Sequence, residues 1–260
     1  MKIATWNING VRARLDNATA WVKDAEPDIL CLQEIKSADD AFPGEAFEEL
    51  GYNVAVHGQK GFNGVALLSK LPFDGVSRGL PGDDSDDQAR FIETVVSVGG
   101  GALRVASLYL PNGNPTGSAK FDYKLAWMER LEAYAKARLA DEEAFALAGD
   151  FNVIPEPDDA RFPENWVDDA LFQPEARAAF RRLINLGLTD AFRACDGGPG
   201  NYTFWDYQAG AWQKNNGIRI DHLLLSPLAA DRLSEAAIDK RTREWEKPSD
   251  HVPVVIDLDF

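Results

Sequence analysis

The sequence predicts an α/β protein built as a layered sandwich, in which two packed β-sheets are covered by helices on their outer faces. Apolar, β-like runs alternate with helical segments along the 260 residues, and no Pro/Ser-rich linker or low-complexity tract divides them. The strand-like runs are too many for one comfortable open sheet. The long helical patterns are amphipathic, so each helix has one apolar face to pack against a sheet. We therefore expect a single domain over residues 1–260.

The predicted strands are apolar runs with turn signals at their ends. They are residues 2–8, 28–34, 52–57, 64–69, 91–98, 103–110, 145–150, 218–225 and 252–258, with a hairpin around Gly99, Gly100 and Gly101. The predicted helices are residues 11–25, 118–140 and 174–186. In the first helix the apolar residues recur at intervals of three and four, which gives one apolar stripe. Its members are Val11, Leu15, Ala18, Trp21, Val22 and Ala25.

Composition excludes several classes of protein. Two cysteines are too few for a disulfide framework. No apolar run of about 18 residues could span a bilayer, and the N-terminus shows no signal-peptide pattern. We expect a cytoplasmic monomer with no membrane partner. The net charge of −15 argues against general attraction to nucleic acid, so a polyanionic ligand would need a locally positive face.

Polar side chains suited to chemistry stand at the ends of several predicted strands. They are Asn7, Asn9, Glu34, Tyr109, Asn112, Asp150, Asn152, Asp221, His222, Asp250 and His251. Because side chains alternate along a strand, Asp150 and Asn152 in "FALAGDFN" would emerge side by side. Taken alone, a strand-end asparagine usually caps a turn, and a lone histidine is more often structural. Together these residues predict a convergent site at one rim of the sheets.

These groups suit the attack of water on a phosphodiester. That reaction needs charge neutralised on the phosphate, a positioned nucleophile and a stabilised leaving oxygen. Carboxylates and amides without cysteine clusters favour a hard cation such as Mg²⁺. Zinc is disfavoured because there is no HExxH motif, and nucleotide-driven chemistry is disfavoured because there is no P-loop or GxGxxG. A glycosidase would use two carboxylates but would leave His251 and Tyr109 without a role.

Eight motifs, in order along the chain, resemble those of the exonuclease III-type apurinic/apyrimidinic endonucleases, within the endonuclease/exonuclease/phosphatase superfamily. The motifs are "WNINGVRAR", "LCLQEIK", "HGQKGFNGVALLSK", "SLYLPNG", "LAGDFNVIP", "YTFWDYQ", "GIRIDHLLLS" and "EKPSDHVPVV". The resemblance implies a DNase I-like, four-layered sandwich of two mixed β-sheets flanked by helices. It also implies a Mg²⁺-dependent DNA repair phosphodiesterase, with Mn²⁺ as a substitute. Such an enzyme would incise duplex DNA 5′ to abasic sites and remove 3′-blocking groups or nucleotides, leaving 3′-hydroxyl ends.

The resemblance also implies roles for individual residues. Glu34 would be the principal metal ligand with Asn7 and Asp250 nearby, and one ion against two stays open because Asp150 and Asn152 could serve a second position. Asp150 would orient or deprotonate the attacking water, and Asn152 would hold the phosphate or the water. Tyr109 would supply a hydroxyl to the phosphate. His251, paired with Asp221, would bind the scissile phosphate or assist proton transfer.

The same resemblance implies a DNA-binding face and a pocket for an extruded abasic sugar. Lys36 and Arg90 would face the substrate, as would Asn112. The wider positive face is predicted to contain Arg12, Arg14, Lys60, Lys120, Lys124, Lys214, Arg219, Lys240, Arg241, Arg243 and Lys247. The predicted pocket wall contains Phe204, Trp205, Tyr207, Trp212, Ile218 and Ile220. Some relatives carry an aromatic residue where this chain has Ile218, which leaves the balance of abasic-site cutting and exonuclease activity open.

Two other functions compete with this one. The first is another phosphodiesterase of the superfamily, such as a nonspecific nuclease. Nonspecific nucleases use a second histidine where this chain has Tyr109, which argues against that function. The second is a noncatalytic nucleic-acid-binding relative. Retention of the whole polar set, with Glu34, Asp150 and His251 at its centre, argues against a loss of chemistry.

Overall fold

Two six-stranded mixed β-sheets form the centre of the protein, in a computed structural model that describes residues 1–260. The first sheet has the order β11-β12-β1-β2-β4-β3. Its strands are β1 (Lys2–Asn7), β2 (Ile29–Gln33), β3 (Asn53–His57), β4 (Val65–Ser69), β11 (Leu233–Ile238) and β12 (Val254–Leu258). The second sheet has the order β5-β6-β7-β8-β10-β9. Its strands are β5 (Gly75–Arg78), β6 (Phe91–Val98), β7 (Gly101–Tyr109), β8 (Phe145–Asp150), β9 (Thr189–Asp190) and β10 (Asp221–Leu225).

Helices cover both outer faces of the sheet pair. They are α1 (Leu15–Ala25), α2 (Glu45–Glu48), α3 (Ala119–Ala140), α4 (Pro174–Asn185), α5 (Ala191–Cys195) and α6 (Pro227–Ala230). Short 3₁₀ turns occupy Val11–Arg14, Asp39–Ala41, Pro157–Asp159, Pro163–Trp166 and Lys240–Glu244. The long helix α3 begins where the Ser118 side chain accepts the backbone N–H of Lys120, and α4 begins with Pro174, whose missing N–H costs nothing at a helix start.

Strand β8 shows how one sequence run fills two layers of the core. Its odd-numbered residues, Phe145 and Leu147, pack with α3 and α4 on the outer face of their sheet. Its even-numbered residues, Ala146 and Ala148, pack against the other sheet. This is the two-residue alternation of a strand buried on both faces. The four-layered sandwich expected from the sequence is therefore confirmed.

Chain direction brings the polar strand ends to one rim. The parallel pairs β1–β2 and β7–β8 both end there, after Asn7 and Gln33 in the first sheet and at Tyr109 and Asp150 in the second. Strands β10 and β12 run antiparallel to β8 and β1, so they begin at the same rim. Asp221 pairs directly with Asp150 in this register. The rim thus gathers residues that are far apart in the sequence.

The predicted elements were found with shifts at their ends, and several elements were missed. Residues 11–14 form a 3₁₀ turn before α1, and the strand expected from residue 218 begins at Asp221, because Ile218 makes only isolated bridges to Ala160 and Phe204. The missed strands β5 and β11 are edge strands with many exposed residues, so they lack a clear apolar alternation. No helix is long and apolar enough to cross a membrane.

Candidate active site

A cavity of about 160 Å³ opens at this rim and takes residues from both sheets. It is lined by Glu34, Tyr109, Asn112, Asp150, Asn152, Trp166, Asp169, Leu171, Phe204, Ile220, Asp250 and His251. Larger grooves exist at the β6–β7 hairpin and beside α3, but none of the strand-end residues lines them. The predicted convergence of polar residues is therefore present at this cavity.

Asn7 joins the carboxylates of the two sheets. Its Nδ2 donates to Glu34 Oε1 at 3.0 Å and to Asp150 Oδ2 at 2.9 Å. Its Oδ1 accepts the backbone N–H of Asn9 at 3.0 Å. Asn7 was expected at the metal site beside Glu34, but in this arrangement its oxygen accepts from the backbone and its nitrogen faces the carboxylates. Asn7 is here a shared donor that fixes the spacing of Glu34 and Asp150.

Glu34 is held in its ionised form. Burial favours its neutral form, but the hydrogen bond from Asn7 and the ammonium of Lys36 outweigh burial and lower the pKa of Glu34. Lys36 Nζ lies 2.9 Å from Glu34 Oε2 and 2.5 Å from Asn9 Oδ1. Lys36, expected to face substrate, therefore also acts on the carboxylate two residues before it.

Asp150 is the most perturbed carboxylate of the site. Burial, reinforced by the nearby charge of Asp221, raises its pKa to about 7 against the opposing effect of His251. Its Oδ1 accepts the backbone N–H of Asn152 at 2.9 Å. Strand β8 ends at Asp150 and Asn152 has a left-handed φ of 47°. Both residues line the cavity as expected, but a tight turn brings them there rather than the alternation of a continuing strand.

Gly149 explains why glycine precedes Asp150. A Cβ at this position would lie 1.9 Å from the backbone oxygen of Leu108 on the paired strand β7. No side chain fits between the strands at that distance. Gly149 thus lets β7 and β8 approach closely directly below Tyr109 and Asp150.

His251 and Asp221 form a buried pair at the back of the cavity. His251 Nδ1 lies 2.8 Å from Asp221 Oδ2, and His251 Nε2 lies 3.8 Å from Asp150 Oδ2. Burial opposes charge on the imidazole, but the carboxylates of Asp221 and Asp150 outweigh it and raise the pKa of His251 to about 10. The ring packs edge-on against Phe204 at 4.9 Å. The raised pKa favours the imidazolium form, in which the Nε2–H would lie on the Asp150 side.

Tyr109 keeps its proton. Burial, together with the carboxylates of Glu34 and Asp150, raises the pKa of Tyr109 well above its ordinary value. The guanidinium of Arg90 lies 4.9 Å from the centre of the Tyr109 ring and donates to the Tyr109 backbone oxygen at 3.1 Å. Arg90 therefore holds Tyr109 in place, and the phenol is available as a hydrogen-bond donor.

The hydrophobic side of the cavity differs from the predicted wall. Phe204 and Ile220 line it as expected, together with Trp166 and Leu171, which the sequence analysis missed. Trp166 and Leu171 belong to the irregular segment between β8 and α4, where no periodic pattern signals burial. The other predicted wall residues do not line the cavity: Ile218 lies in a buried cluster with Ile154, and Trp212 packs edge-on against Trp205.

Three residues expected on a positive surface are instead buried. Arg219 donates to Asp159 at 2.6 Å and to Asp190 at 2.8 Å, so its charge is neutralised inside the protein. Arg243 packs over the ring of Tyr207, and Lys124 is fully buried behind the cavity. These three cannot contribute an exposed phosphate-binding face. Lys36 and Arg90 remain beside the site, and Lys120 is exposed in the first turn of α3.

The carboxylates of the cavity fit a divalent metal ion. One ligand atom from each of Glu34, Asp150 and His251 lies within 4.8 Å of the others, and Asp250 lines the same cavity. The raised pKa of His251 favours its protonated form, so the carboxylate oxygens are the better donors in this cluster. Such oxygens suit a hard cation, and a bound cation would also oppose the burial and the repulsion from Asp221 that raise the pKa of Asp150.

Known proteins share this architecture along the whole chain. The endonuclease/exonuclease/phosphatase family matches residues 4–251. The chain is 37% identical over 262 residues to exodeoxyribonuclease III from Haemophilus influenzae, and the match covers 98% of each protein. An AP endonuclease structure from Archaeoglobus fulgidus is 37% identical, with a TM-score of 0.94 and 100% coverage of both chains. A 3′ phosphatase from Neisseria, NExo, bound to a product DNA hairpin, is also 37% identical, with a TM-score of 0.95 and the same coverage.

These likenesses confirm the resemblance drawn from the motifs. The two-sheet sandwich and the carboxylate cavity at its rim are those of a metal-dependent phosphodiester hydrolase. The chain belongs to the endonuclease/exonuclease/phosphatase family.

Proposed function

We propose that the protein is a DNA repair phosphodiesterase that incises duplex DNA 5′ to abasic sites and removes 3′-blocking groups or nucleotides, leaving 3′-hydroxyl ends. One observation carries this proposal. Glu34 and Asp150, from different sheets, are joined by Asn7 beside the His251–Asp221 pair in one cavity. The relatives named exodeoxyribonuclease III, AP endonuclease and 3′ phosphatase support the same reaction class. Because both sheets contribute to the site, residues 1–260 would act as one domain.

Glu34 would be the principal ligand of the cation, with Asp250 beside it, and we infer that the cation is Mg²⁺. When bound, the ion would neutralise negative charge on the phosphate as it develops. This metal chemistry is compatible with the site because the donors are oxygens and the protein supplies only a few of them. Asn7 would keep the carboxylates of Glu34 and Asp150 at a fixed spacing through its hydrogen bonds.

Asp150 would act as the base that orients and deprotonates the attacking water. In the metal-free site burial raises the pKa of Asp150 to about 7, so this carboxyl accepts a proton more readily than an exposed aspartate does. The backbone N–H of Asn152 holds one carboxylate oxygen, so the other is directed toward Asn7 and the cavity. Asn152 would contribute to phosphate or water binding from the same turn.

His251 and Tyr109 would both bind the phosphate, since both line the cavity. His251 is kept charged and oriented by Asp221, so its Nε2–H could donate to a non-bridging phosphate oxygen. Tyr109 is kept protonated by its surroundings and could donate from its hydroxyl. Asp221 holds His251 and Arg90 holds Tyr109 before substrate arrives, and preorganised donors of this kind stabilise developing charge effectively.

The DNA would lie over the rim, with the abasic sugar entering the cavity. Phe204, Ile220 and Leu171 form an apolar wall against which a sugar without its base could pack. The cavity of about 160 Å³ is small, which favours a nucleotide that has lost its base over an intact one. Lys36, Arg90, Lys120 and Asn112 would contact the backbone phosphates.

Product analysis on a duplex with one abasic site tests the proposal. We expect Mg²⁺-dependent incision 5′ to the lesion, with a 3′-hydroxyl end that a polymerase extends, and no incision in EDTA. The matched control is the same duplex with an intact base. Equal cleavage of the two duplexes would point to a nonspecific nuclease, and binding without any cleavage would point to a noncatalytic relative.

A further inference from the structure

One buried lysine joins the two loops that carry the polar side of the cavity. Lys124 lies on α3 and is fully buried. Its Nζ donates to the backbone oxygen of Asn112 at 3.0 Å and to that of Asn152 at 2.6 Å. Asn112 follows β7 and Asn152 follows β8. Burial lowers the pKa of Lys124 to about 7, and both the charged and the neutral amino group have enough N–H donors for the two bonds. A single terminal amino group therefore links the two strand ends.

No other group of the protein donates to either backbone oxygen. Asn152 adopts a left-handed φ of 47°, which turns its carbonyl away from the strand ladder and toward Lys124. A buried carbonyl without a donor is costly, because it has lost its hydrogen bonds to water. The conformation of this turn therefore depends on the lysine.

The lysine stem has little freedom to move. Gly113 has a φ of 88°, and a Cβ there would lie 2.6 Å from Lys124 Cδ and 3.3 Å from the Ala170 Cβ. The glycine thus gives the stem the space that a side chain would fill. Its packing keeps Lys124 Nζ at one place between the loops.

The side chains above the lysine are coupled to each other. Asn112 Nδ2 donates to Asn152 Oδ1 at 3.3 Å, and Asn152 Nδ2 donates to the backbone oxygen of Leu110 at 2.9 Å. The backbone N–H of Asn152 also holds the Asp150 carboxylate. A shift in the turn would move the Asn152 amide and the Asp150 carboxylate together.

We propose that Lys124 is a positioning residue for the hydrolytic reaction, which holds Asn152 and Asn112 in their working geometry through its two hydrogen bonds to the backbone. This inference rests on the proposed function of the same site. Lys124 touches no reacting atom, so it would act on the rate of the chemical step rather than on DNA affinity. It also differs from the surface lysines, whose loss would weaken DNA binding and reduce its salt dependence.

The test compares single-turnover cleavage of an abasic duplex with the affinity for that duplex. Lys124→Met removes the donor with little change in side-chain length. We expect its single-turnover rate constant to fall by about ten- to a hundredfold, since small misplacements of reacting groups have effects of this size. The Kd for DNA should stay within about threefold of the wild-type value. An unchanged rate constant, or a rise in Kd alone, would overturn the inference.

A double-mutant cycle separates positioning from general loss of stability. If Lys124 acts through Asn152, Lys124→Met should lower the rate much less in the Asn152→Ala background than in the wild type. Fully additive effects would show that the lysine acts elsewhere. Tyr134→Phe is the matched control. Tyr134 lies on the same helix as Lys124 but far from the cavity, and the change removes its buried hydrogen bond to Glu93. It should lower Tm without changing the rate constant.

A second variant and the wild-type cleavage result separate failure of the positioning role from failure of the proposed function. If the methionine variant does not fold, Lys124→Gln keeps a polar end group and gives the same comparison, with the same expected loss of rate. If wild-type protein fails to cleave the abasic duplex in Mg²⁺, the proposed function fails before Lys124 is tested. A wild-type enzyme that cleaves, with a Lys124 variant equally fast, rejects only the role of the lysine.

Discussion

His251 Nδ1 lies 2.8 Å from Asp221 Oδ2, and both side chains are buried. Asp221 Oδ1 has no hydrogen-bond partner. The charge of this carboxylate attracts the protonated form of His251 and repels the ionised form of Asp150, so it raises the pKa of both groups. The pair links β10 of one sheet to the segment before β12 of the other. It therefore connects the two sheets at the rim and raises the pKa of His251.

The charge state of His251 can be measured directly. In metal-free protein, burial opposes the imidazolium but Asp221 and Asp150 raise the pKa of His251 to about 10, so we expect the ring to be protonated at pH 8. Asp221→Asn removes the principal carboxylate, and the ring should then titrate at a lower pH. NMR of the imidazole nitrogens in EDTA can follow this, because the protein has three histidines. A neutral His251 at pH 8 in the wild type would contradict the assignment.

The same shift predicts how stability depends on pH. The pKa of His251 is raised from 6.5 to about 10 on folding, so the folded state binds the proton more tightly than the unfolded state. The resulting stabilisation is complete below pH 6.5 and is lost as the pH rises through 10. The difference in free energy of unfolding between wild type and His251→Gln should therefore shrink over that range. Urea titrations of both proteins at several pH values measure it.

Replacement of the proposed base should remove activity without unfolding the protein. Asp150→Asn keeps the shape of the side chain but removes its charge and basicity. We expect cleavage at an abasic site to fall by about a hundredfold or more, which is the usual contribution of a general base. The matched control is Asp86→Asn, a buried carboxylate that pairs with Arg130 away from the cavity. A rate for Asp150→Asn within about threefold of the wild type would reject the role of Asp150.

Mg²⁺ binding should be visible in thermal stability. A ligand that binds only the folded state raises Tm with its concentration, so Tm should rise on titration of Mg²⁺ into metal-free protein. Glu34→Gln removes one of the two carboxylates joined by Asn7, and this rise should be lost or strongly reduced. Glu143→Gln is the control, because Glu143 pairs with Arg104 and Arg138 away from the cavity. An equal Mg²⁺ response in both variants would place the ion elsewhere.

Gly149→Ala should be strongly destabilising. The added Cβ would lie 1.9 Å from the Leu108 backbone oxygen, so β7 and β8 would have to separate in the core of their sheet. We expect a loss of about 3 kcal/mol or more, at the upper end of overpacking effects, measured by denaturant unfolding. Gly101→Ala at the start of β7 is the control, because no atom lies within 4 Å of its added Cβ. A loss below about 1 kcal/mol for Gly149→Ala would mean that the strands can move apart easily.

The apolar patterns predicted the sheets well because burial on both faces leaves a strong local signal. The run Phe145–Asp150 was predicted as a strand with correct bounds. Edge strand β11, with mostly exposed or half-buried residues, carried no such signal. The charged residues were harder to place, because a lysine or arginine pattern does not distinguish a solvated side chain from a buried one with partners. Lys124 and Arg219 were expected on the surface and lie inside the protein for this reason.

The sequence by itself determined the layered α/β architecture and the polar residues that meet at its rim, because alternation and strand-end chemistry are local properties. The motifs also determined the family. Only the tertiary structure decided that Asn7 faces the carboxylates as a donor, that Leu171 and Trp166 replace Ile218 and Trp212 at the cavity wall, and that Lys124 supports the site from below. These features depend on which irregular segments and buried charged side chains contact each other in the folded protein. Such long-range contacts leave no local pattern in the sequence.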